Sequence, residues 1–192
     1  MRICVFSGSG LGRRKAYAVA AATLGNLLGR NGIGLVYGGA SVGLMREVAD
    51  AALAAGGKVI GVMPRSLAQH EVAYTALEDL RIVNSLHERK ALMAELSDGF
   101  IALPGGIGTL EEIIEAWTWS KLGEHDKPCA LLNTAGFFDP LTVFLDSLVG
   151  ERFLRAEHRA ILKVSENPEA ILDHFRSFRP TTADKWIREG AD

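Results

Sequence analysis

Only two cysteines, Cys4 and Cys129, occur in the 192 residues, and both fall within apolar, strand-like runs. Buried, reduced thiols are therefore expected. There is no CxxC pair and no His/Cys cluster, so the sequence predicts no structural zinc. Long apolar runs are missing as well: no stretch approaches the ~20 residues that span a bilayer. The chain opens directly on the strand-like Met1-Arg2-Ile3-Cys4-Val5-Phe6, without the apolar segment of a signal peptide. A cytoplasmic protein with no membrane contact is expected. Positive charge is not in excess either. A net charge of −2 gives no field to gather a nucleic-acid backbone, which removes that partner class.

What is present is an ordinary soluble α/β composition, 48% hydrophobic and 23% charged, of a length that suits one compact domain. That domain is expected over residues 1–180, with 181–192 a polar tail. Short apolar runs that end in glycine alternate with longer segments of helical period. Strands are predicted over 2–6, 34–37, 58–63, 80–83, 99–103 and 128–132. Helices are predicted over 15–28, 42–55, 85–97, 109–122, 140–149 and 168–178, with 65–79 a loop holding one helical turn. Apolar strands alternating with helices call for a parallel sheet covered on both faces, a Rossmann-like doubly wound α/β fold. In such sheets ligands sit at the carboxyl ends of the strands. The glycine clusters at 8–12, 38–39 and 105–108 each follow a strand, so all three should line one rim.

Gly8-Ser9-Gly10-Leu11-Gly12 does not make a dinucleotide fingerprint. The third glycine is displaced by Arg13, and the second strand ends Tyr37-Gly38-Gly39 rather than in an acid for the ribose hydroxyls. No Gly-Lys-Ser/Thr follows any turn, which excludes a P-loop. The Ser7 and Ser9 hydroxyls fall where they would edge a ligand. The sharpest signal is Pro104-Gly105-Gly106-Ile107-Gly108-Thr109-Leu110-Glu111-Glu112. Consecutive glycines let a backbone approach a ligand with its amides exposed, and the helix expected from Thr109 turns its positive end toward an anion such as a phosphate monoester. Thr109 and Glu112 also have capping-box spacing, which gives Glu112 a purely structural alternative. Ser85-Leu86-His87-Glu88 has the same spacing and opens the preceding helix. Arg89 and Lys90 follow at once, at the end of a helix where cations are disfavoured unless an anion is near. His70, His87 and His125 have no metal-ligand spacing, and Trp117 and Trp119 read as core or subunit contacts. Neither a metal nor a cofactor is expected.

With PGGxGTxxE at 104–112 and Glu88-Arg89-Lys90 before it, the sequence resembles the Lonely Guy family of cytokinin riboside 5′-monophosphate phosphoribohydrolases. The likeness extends through Val5-Phe6-Ser7-Gly8-Ser9, Val36-Tyr37-Gly38-Gly39, Gly43-Leu44-Met45 and Lys127-Pro128, over roughly residues 1–175. Two departures are visible: Ser7 where many members have Cys, and Ile107 where Tyr is common. The resemblance implies hydrolysis of the N-glycosidic bond of an N6-modified adenosine monophosphate, or of AMP, to free base and ribose 5-phosphate. It implies Arg89 and Glu112 as the catalytic pair. It also implies nucleotide contacts from Glu71, Arg89, Lys90, Gly105, Gly106, Ile107, Gly108, Thr109, Leu110, Glu111 and Thr118, in a homodimer. The pocket for the N6 substituent would involve residues 72–77 and the partner subunit. Members are often labelled lysine decarboxylases, chemistry that needs pyridoxal phosphate on a Schiff-base lysine. Lys90, the lysine near the rim, fits better as a phosphate contact. No second carboxylate stands out as the acid for the leaving base, Asp98 being a weak candidate. Two non-hydrolytic alternatives share these features: a molybdenum-cofactor carrier of the same fold, and a nucleotide sensor.

Overall fold

The computed structural model describes residues 1–68 and 73–180. Seven strands form one parallel sheet: β1 (Arg2–Phe6), β2 (Gly34–Tyr37), β3 (Val59–Pro64), β4 (Asp79–Val83), β5 (Gly99–Ala102), β6 (Cys129–Leu132) and β7 (Leu162–Ser165), in the order β4-β3-β2-β1-β5-β6-β7. The helices are α1 (Lys15–Arg30), α2 (Gly43–Ala54), the single turn α3 (Arg65–Ala68), α4 (Leu86–Glu95), α5 (Ile107–Leu122), α6 (Asp139–Gly150), α7 (Ala156–Ile161) and α8 (Pro168–Ser177), with a 3₁₀ turn over Thr134–Gly136.

The period of two along each strand divides the core. Ile3, Val5, Leu35, Tyr37, Ile101 and Leu103 point to the face covered by α1, α2 and α8. Cys4, Phe6, Val36, Phe100 and Ala102 point to the face covered by α4, α5 and α6. Both cysteines are buried free thiols, as their apolar runs predict. Burial raises each thiol pKa, because a thiolate there would lose its hydration.

From β1 the sheet grows outward through β2 and β3 to β4, then the chain returns to lay β5 on the other side of β1, with Val5 beside both Tyr37 and Ile101. That reversal opens a crevice at the carboxyl ends of β1 and β5, where such sheets bind ligands. The first glycine cluster follows β1 and the third follows β5, so sequence and topology place the same two loops side by side.

Two expectations change and a third is met. A seventh strand, β7, and the short helix α7 lie in 150–167, where no element is read from the sequence. α5 starts at Ile107 rather than Thr109. The turn expected in 65–79 is α3. His70, Glu71, Val72 and the tail over 181–192 lie outside the described residues.

Candidate active site

The two loops at the crevice are locked together by backbone. Gly8 N donates to the Pro104 carbonyl at 3.1 Å, and Leu44 N, in the first turn of α2, donates to the Gly8 carbonyl at 3.0 Å. A side chain on Gly105 would collide with the Thr109 hydroxyl and lie 2.7 Å from its Cβ and 2.9 Å from Gly8 N. The close approach therefore requires glycine at 105. Beside it lies a cleft of about 330 Å³, lined by residues 8–12, Tyr17, Leu44, Pro104, Gly105, Gly106 and Phe137.

Gly106 is the N-cap of α5 and supplies no side-chain bond, and no acid lies in the first helical turn. The first intrahelical bond runs from Leu110 N to the Gly106 carbonyl, 3.2 Å long. The amides of Ile107, Gly108 and Thr109 thus precede the helical ladder and point with the positive end of the dipole, an arrangement suited to an anion. The earlier start of α5 also corrects the capping-box reading. Thr109 is the third helical residue, buried, and Glu112 lies a turn further on. The signal for this was the Gly106-Ile107 junction, since glycine is an acceptable N-cap.

Glu112 instead faces α4. Its Oε1 is 3.4 Å from Arg89 Nη1, and the two side chains are only 13% and 11% exposed. Arg89 sits on α4, whose start is set by Ser85: its hydroxyl accepts from Glu88 N at 3.1 Å, while the Glu88 carboxylate accepts from Asn84 N at 2.8 Å. This is the predicted capping box, displaced by one residue in its return bond. The Arg89 guanidinium donates from Nε to the Val62 carbonyl at 3.1 Å and lies 3.5 Å from the Gly38 carbonyl. Any side chain at 38 would overlap its Nη2, so the second glycine cluster makes room for the arginine. Beneath the pair, Cys4 feels both charges: Glu112 adds to the rise that burial causes in its thiol pKa, and Arg89 opposes it.

Lys90 meets two carboxylates, Glu111 and Glu115, the latter at 2.9 Å, and its side chain is 10% exposed. Burial works against its charge, but the two bonds outweigh this and hold its pKa above the ordinary lysine value. Such an amine does not fit a Schiff-base role, which needs the neutral form. The residues at this rim therefore do not suit pyridoxal phosphate.

Of the remaining candidates, Ser9 is exposed in the cleft, whereas Ser7 is 8% exposed and its hydroxyl has no hydrogen-bond partner among the described residues. Ile107 is 81% exposed at the mouth of the turn. Thr118 shares a groove along α5 with Ile107, Leu110 and Glu111. It lies nine residues beyond Thr109, roughly 13 Å along the axis, and its hydroxyl returns to the Ile114 carbonyl at 2.7 Å. Trp117 is core, its indole donating to the His158 carbonyl at 2.9 Å. Asp98 is excluded as an acid. It precedes β5 and accepts from Arg2 N at 2.7 Å, at the end of the sheet opposite the crevice.

A family model described as "Possible lysine decarboxylase" matches residues 45–175. A protein of Oryza sativa subsp. japonica named probable cytokinin riboside 5′-monophosphate phosphoribohydrolase is 50% identical over 177 residues, which are 92% of this chain and 79% of that one. The chain belongs to the Lonely Guy family. A cytokinin riboside 5′-monophosphate phosphoribohydrolase of Arabidopsis thaliana is 44% identical over 93% of this chain and 83% of its own length. Among solved structures, the molybdenum cofactor carrier protein of Chlamydomonas reinhardtii superposes with a TM-score of 0.71, at 23% identity over 92% of this chain and 96% of its own. At that identity the likeness is one of fold. Lonely Guy relatives and carriers thus share a framework, and residues at the crevice must separate their chemistries.

Proposed function

We propose that this member of the Lonely Guy family hydrolyses the N-glycosidic bond of N6-modified adenosine 5′-monophosphates, of AMP, or of both, releasing the base and ribose 5-phosphate. The observation that supports this most is the buried Arg89–Glu112 pair standing one helical turn behind the uncapped amides of α5. The 5′-phosphate takes the amides of Gly105, Gly106, Ile107, Gly108 and Thr109, with Leu110 and Glu111 completing the wall. Glu112 then lies on the sugar side. Loss of the base builds positive charge at C1′, and a carboxylate held there stabilises it or orients the attacking water. Binding energy from the phosphate, remote from the bond that breaks, positions the sugar for this step. Arg89 pairs with Glu112 and holds its carboxylate toward the sugar. Glu71 would contribute from outside the described residues.

The active form is a cytoplasmic homodimer. A groove of about 410 Å³ on the outer face of α5 and α6 is lined by Leu110, Ile114, Thr118, Phe144 and Phe153 among others, and Phe144 and Phe153 are 59% and 80% exposed. Apolar surface of this kind marks an interface. Thr118 lines this groove and would add a nucleotide contact from it.

The test is product analysis. AMP, its N6-isopentenyl form and other nucleoside monophosphates are incubated with the protein, and free base and ribose 5-phosphate are measured. Release of base by the wild-type chain, abolished in Glu112→Gln, is the expected result. Ligand binding without base release would instead support the carrier or sensor reading.

A further inference from the structure

Tyr74 and Asp50 have no part in the chemistry above, yet several hydrogen bonds converge on them. The Tyr74 hydroxyl donates to Asp50 Oδ1 at 2.6 Å, and Arg46 Nε donates to Oδ2 of the same carboxylate at 3.1 Å. Arg46 and Asp50 lie one turn apart on α2, so the tyrosine is tied to a carboxylate already held by its own helix. Tyr74 N donates to the Gly39 carbonyl at 2.9 Å, and Ala73 pairs with Ala40 in an antiparallel bridge. Leu77 N returns to the Tyr74 carbonyl at 3.0 Å, and the Leu77 side chain is buried in the core. Residues 73–77 are thus clasped to the second glycine cluster by backbone and to α2 by the phenol. The bond to Asp50 raises the Tyr74 pKa, which keeps the donor protonated at neutral pH. The Tyr37 hydroxyl, buried just before Gly38, feels the same pair: burial first, then Tyr74 and Asp50, raise its pKa.

The clasp lies where the base of a bound nucleotide would be directed. Arg89 is held by the Gly38 carbonyl after β2 and the Val62 carbonyl of β3, and the sheet order puts both on the far side of β1 from β5. A nucleotide with its phosphate at the end of β5 and C1′ at the Arg89–Glu112 pair therefore carries its base toward β2 and β3. Glu71, the nucleotide contact implied by resemblance, precedes Tyr74 by three positions in the sequence. We infer that Tyr74 and Asp50 are specificity-determining positioning residues: their bond holds residues 73–77 as a fixed wall on the base side of the site, and so governs discrimination at N6. This rests on the proposed reading of the site as one for adenosine monophosphates. A wall separates a larger from a smaller substituent only while it cannot yield. Ribose 5-phosphate, which has no base, should not sense it.

The experiment compares wild type with Tyr74→Phe, Asp50→Ala, their double variant and Asp50→Asn. It measures kcat/KM for AMP and for N6-isopentenyl AMP, and calorimetric binding of both nucleotides and of ribose 5-phosphate. The wild-type chain is expected to separate the two nucleotides by about 10-fold or more, the least that one methylene contributes in a fitted apolar pocket. Tyr74→Phe and Asp50→Ala should bring that ratio to within about threefold of unity, with ribose 5-phosphate affinity as in wild type. The double variant should match either single one, since both remove the same contact. Asp50→Asn keeps an acceptor for the phenol and should keep the wild-type ratio. Equal losses on both nucleotides in Tyr74→Phe, as a merely structural role would give, overturn the clasp, and so does a wild-type chain that does not discriminate. If the wild-type chain binds the nucleotides but releases no base, the hydrolase reading has failed separately, and the same ratio taken from the dissociation constants decides the clasp. A chain that binds neither nucleotide overturns both.

Discussion

Arg89 divides its guanidinium among the Val62 carbonyl of β3, the Gly38 carbonyl after β2 and the Glu112 carboxylate of α5. Its two substitution partners therefore behave differently. Arg89→Ala leaves Glu112 as a mostly buried carboxylate without its cation, a change that costs about 3–5 kcal/mol of stability when a buried pair is broken. Lost activity there mixes folding with chemistry. Glu112→Gln keeps the shape, and Arg89 keeps its carbonyl acceptors. Its kcat is expected to fall ~10²-fold or more, as when one electrostatic partner of a transition state is removed, with a smaller drop in melting temperature than Arg89→Ala. Retention of full activity in Glu112→Gln would remove this carboxylate from the mechanism. Gly38 gives a finer probe. A methyl group there meets the far end of Arg89 and lies 2.9 Å from Met45 Sδ, both ends of flexible side chains that can move aside. Gly38→Ala should thus lose less stability than Arg89→Ala and yet be roughly 10- to 100-fold slower than wild type. Equal rates in the two proteins would show that the arginine has latitude the site does not need.

At the scale of elements, α1 and α2 cover one face of the sheet and bring the loop over residues 8–12 against the first turn of α2. Gly25 allows their close contact. Its Cβ position overlaps the Val48 carbonyl and lies 3.0 Å from Ala52 N, which is backbone and cannot swing away. Gly25→Ala should force the helices apart at a cost of about 1–3 kcal/mol, lowering the melting temperature by roughly 2–4 °C for each kcal/mol in a chain of this length. An unchanged melting temperature would mean that the pair tolerates a wider spacing. Elements of this kind were legible because glycine punctuates strong apolar periods: six of the seven strands and the long helices follow from that pattern alone. β7 was not. Leu162-Lys163-Val164-Ser165 is an edge strand, half solvated, with only four residues and no long apolar run, and its register against β6 supplies what local sequence does not. The start of α5 was misplaced for a related reason. Thr109 has a strong N-cap side chain, but the tight Gly105–Thr109 contact draws residues 107 and 108 into the helix and buries that hydroxyl. Within the site, the glycine turn and Glu112 were visible as a motif. The partners of Arg89 and the double engagement of Lys90 were not, because they join residues about 20 to 50 positions apart through the sheet order.

At the scale of the whole molecule, the unanswered surface is the face of α5 and α6. Ile107, Leu122, Phe144 and Phe153 are all exposed there, at 81%, 44%, 59% and 80%. Soluble monomers seldom leave so contiguous an apolar patch in water. The same helix supplies the amides of the glycine turn at one end and this patch along its outer face, so a second copy docked on the patch would lie within reach of the substrate crevice. Replacing Phe144 and Phe153 together by Glu places two charges where an isologous interface would repeat them, four in all, with no cation among the groove's residues except Lys121. Sedimentation of the wild-type chain at micromolar concentration is expected to give twice the mass of one chain, and the double variant the mass of one. Neither substitution touches the Arg89–Glu112 pair, so base release from AMP by the monomeric variant measures what the partner contributes. A large loss would mean that the crevice is completed across the interface, where Thr118 lies, and an unchanged rate would mean that each chain works alone. A wild-type chain that sediments as a monomer would remove the dimer from the mechanism altogether, and the apolar face would then need another occupant.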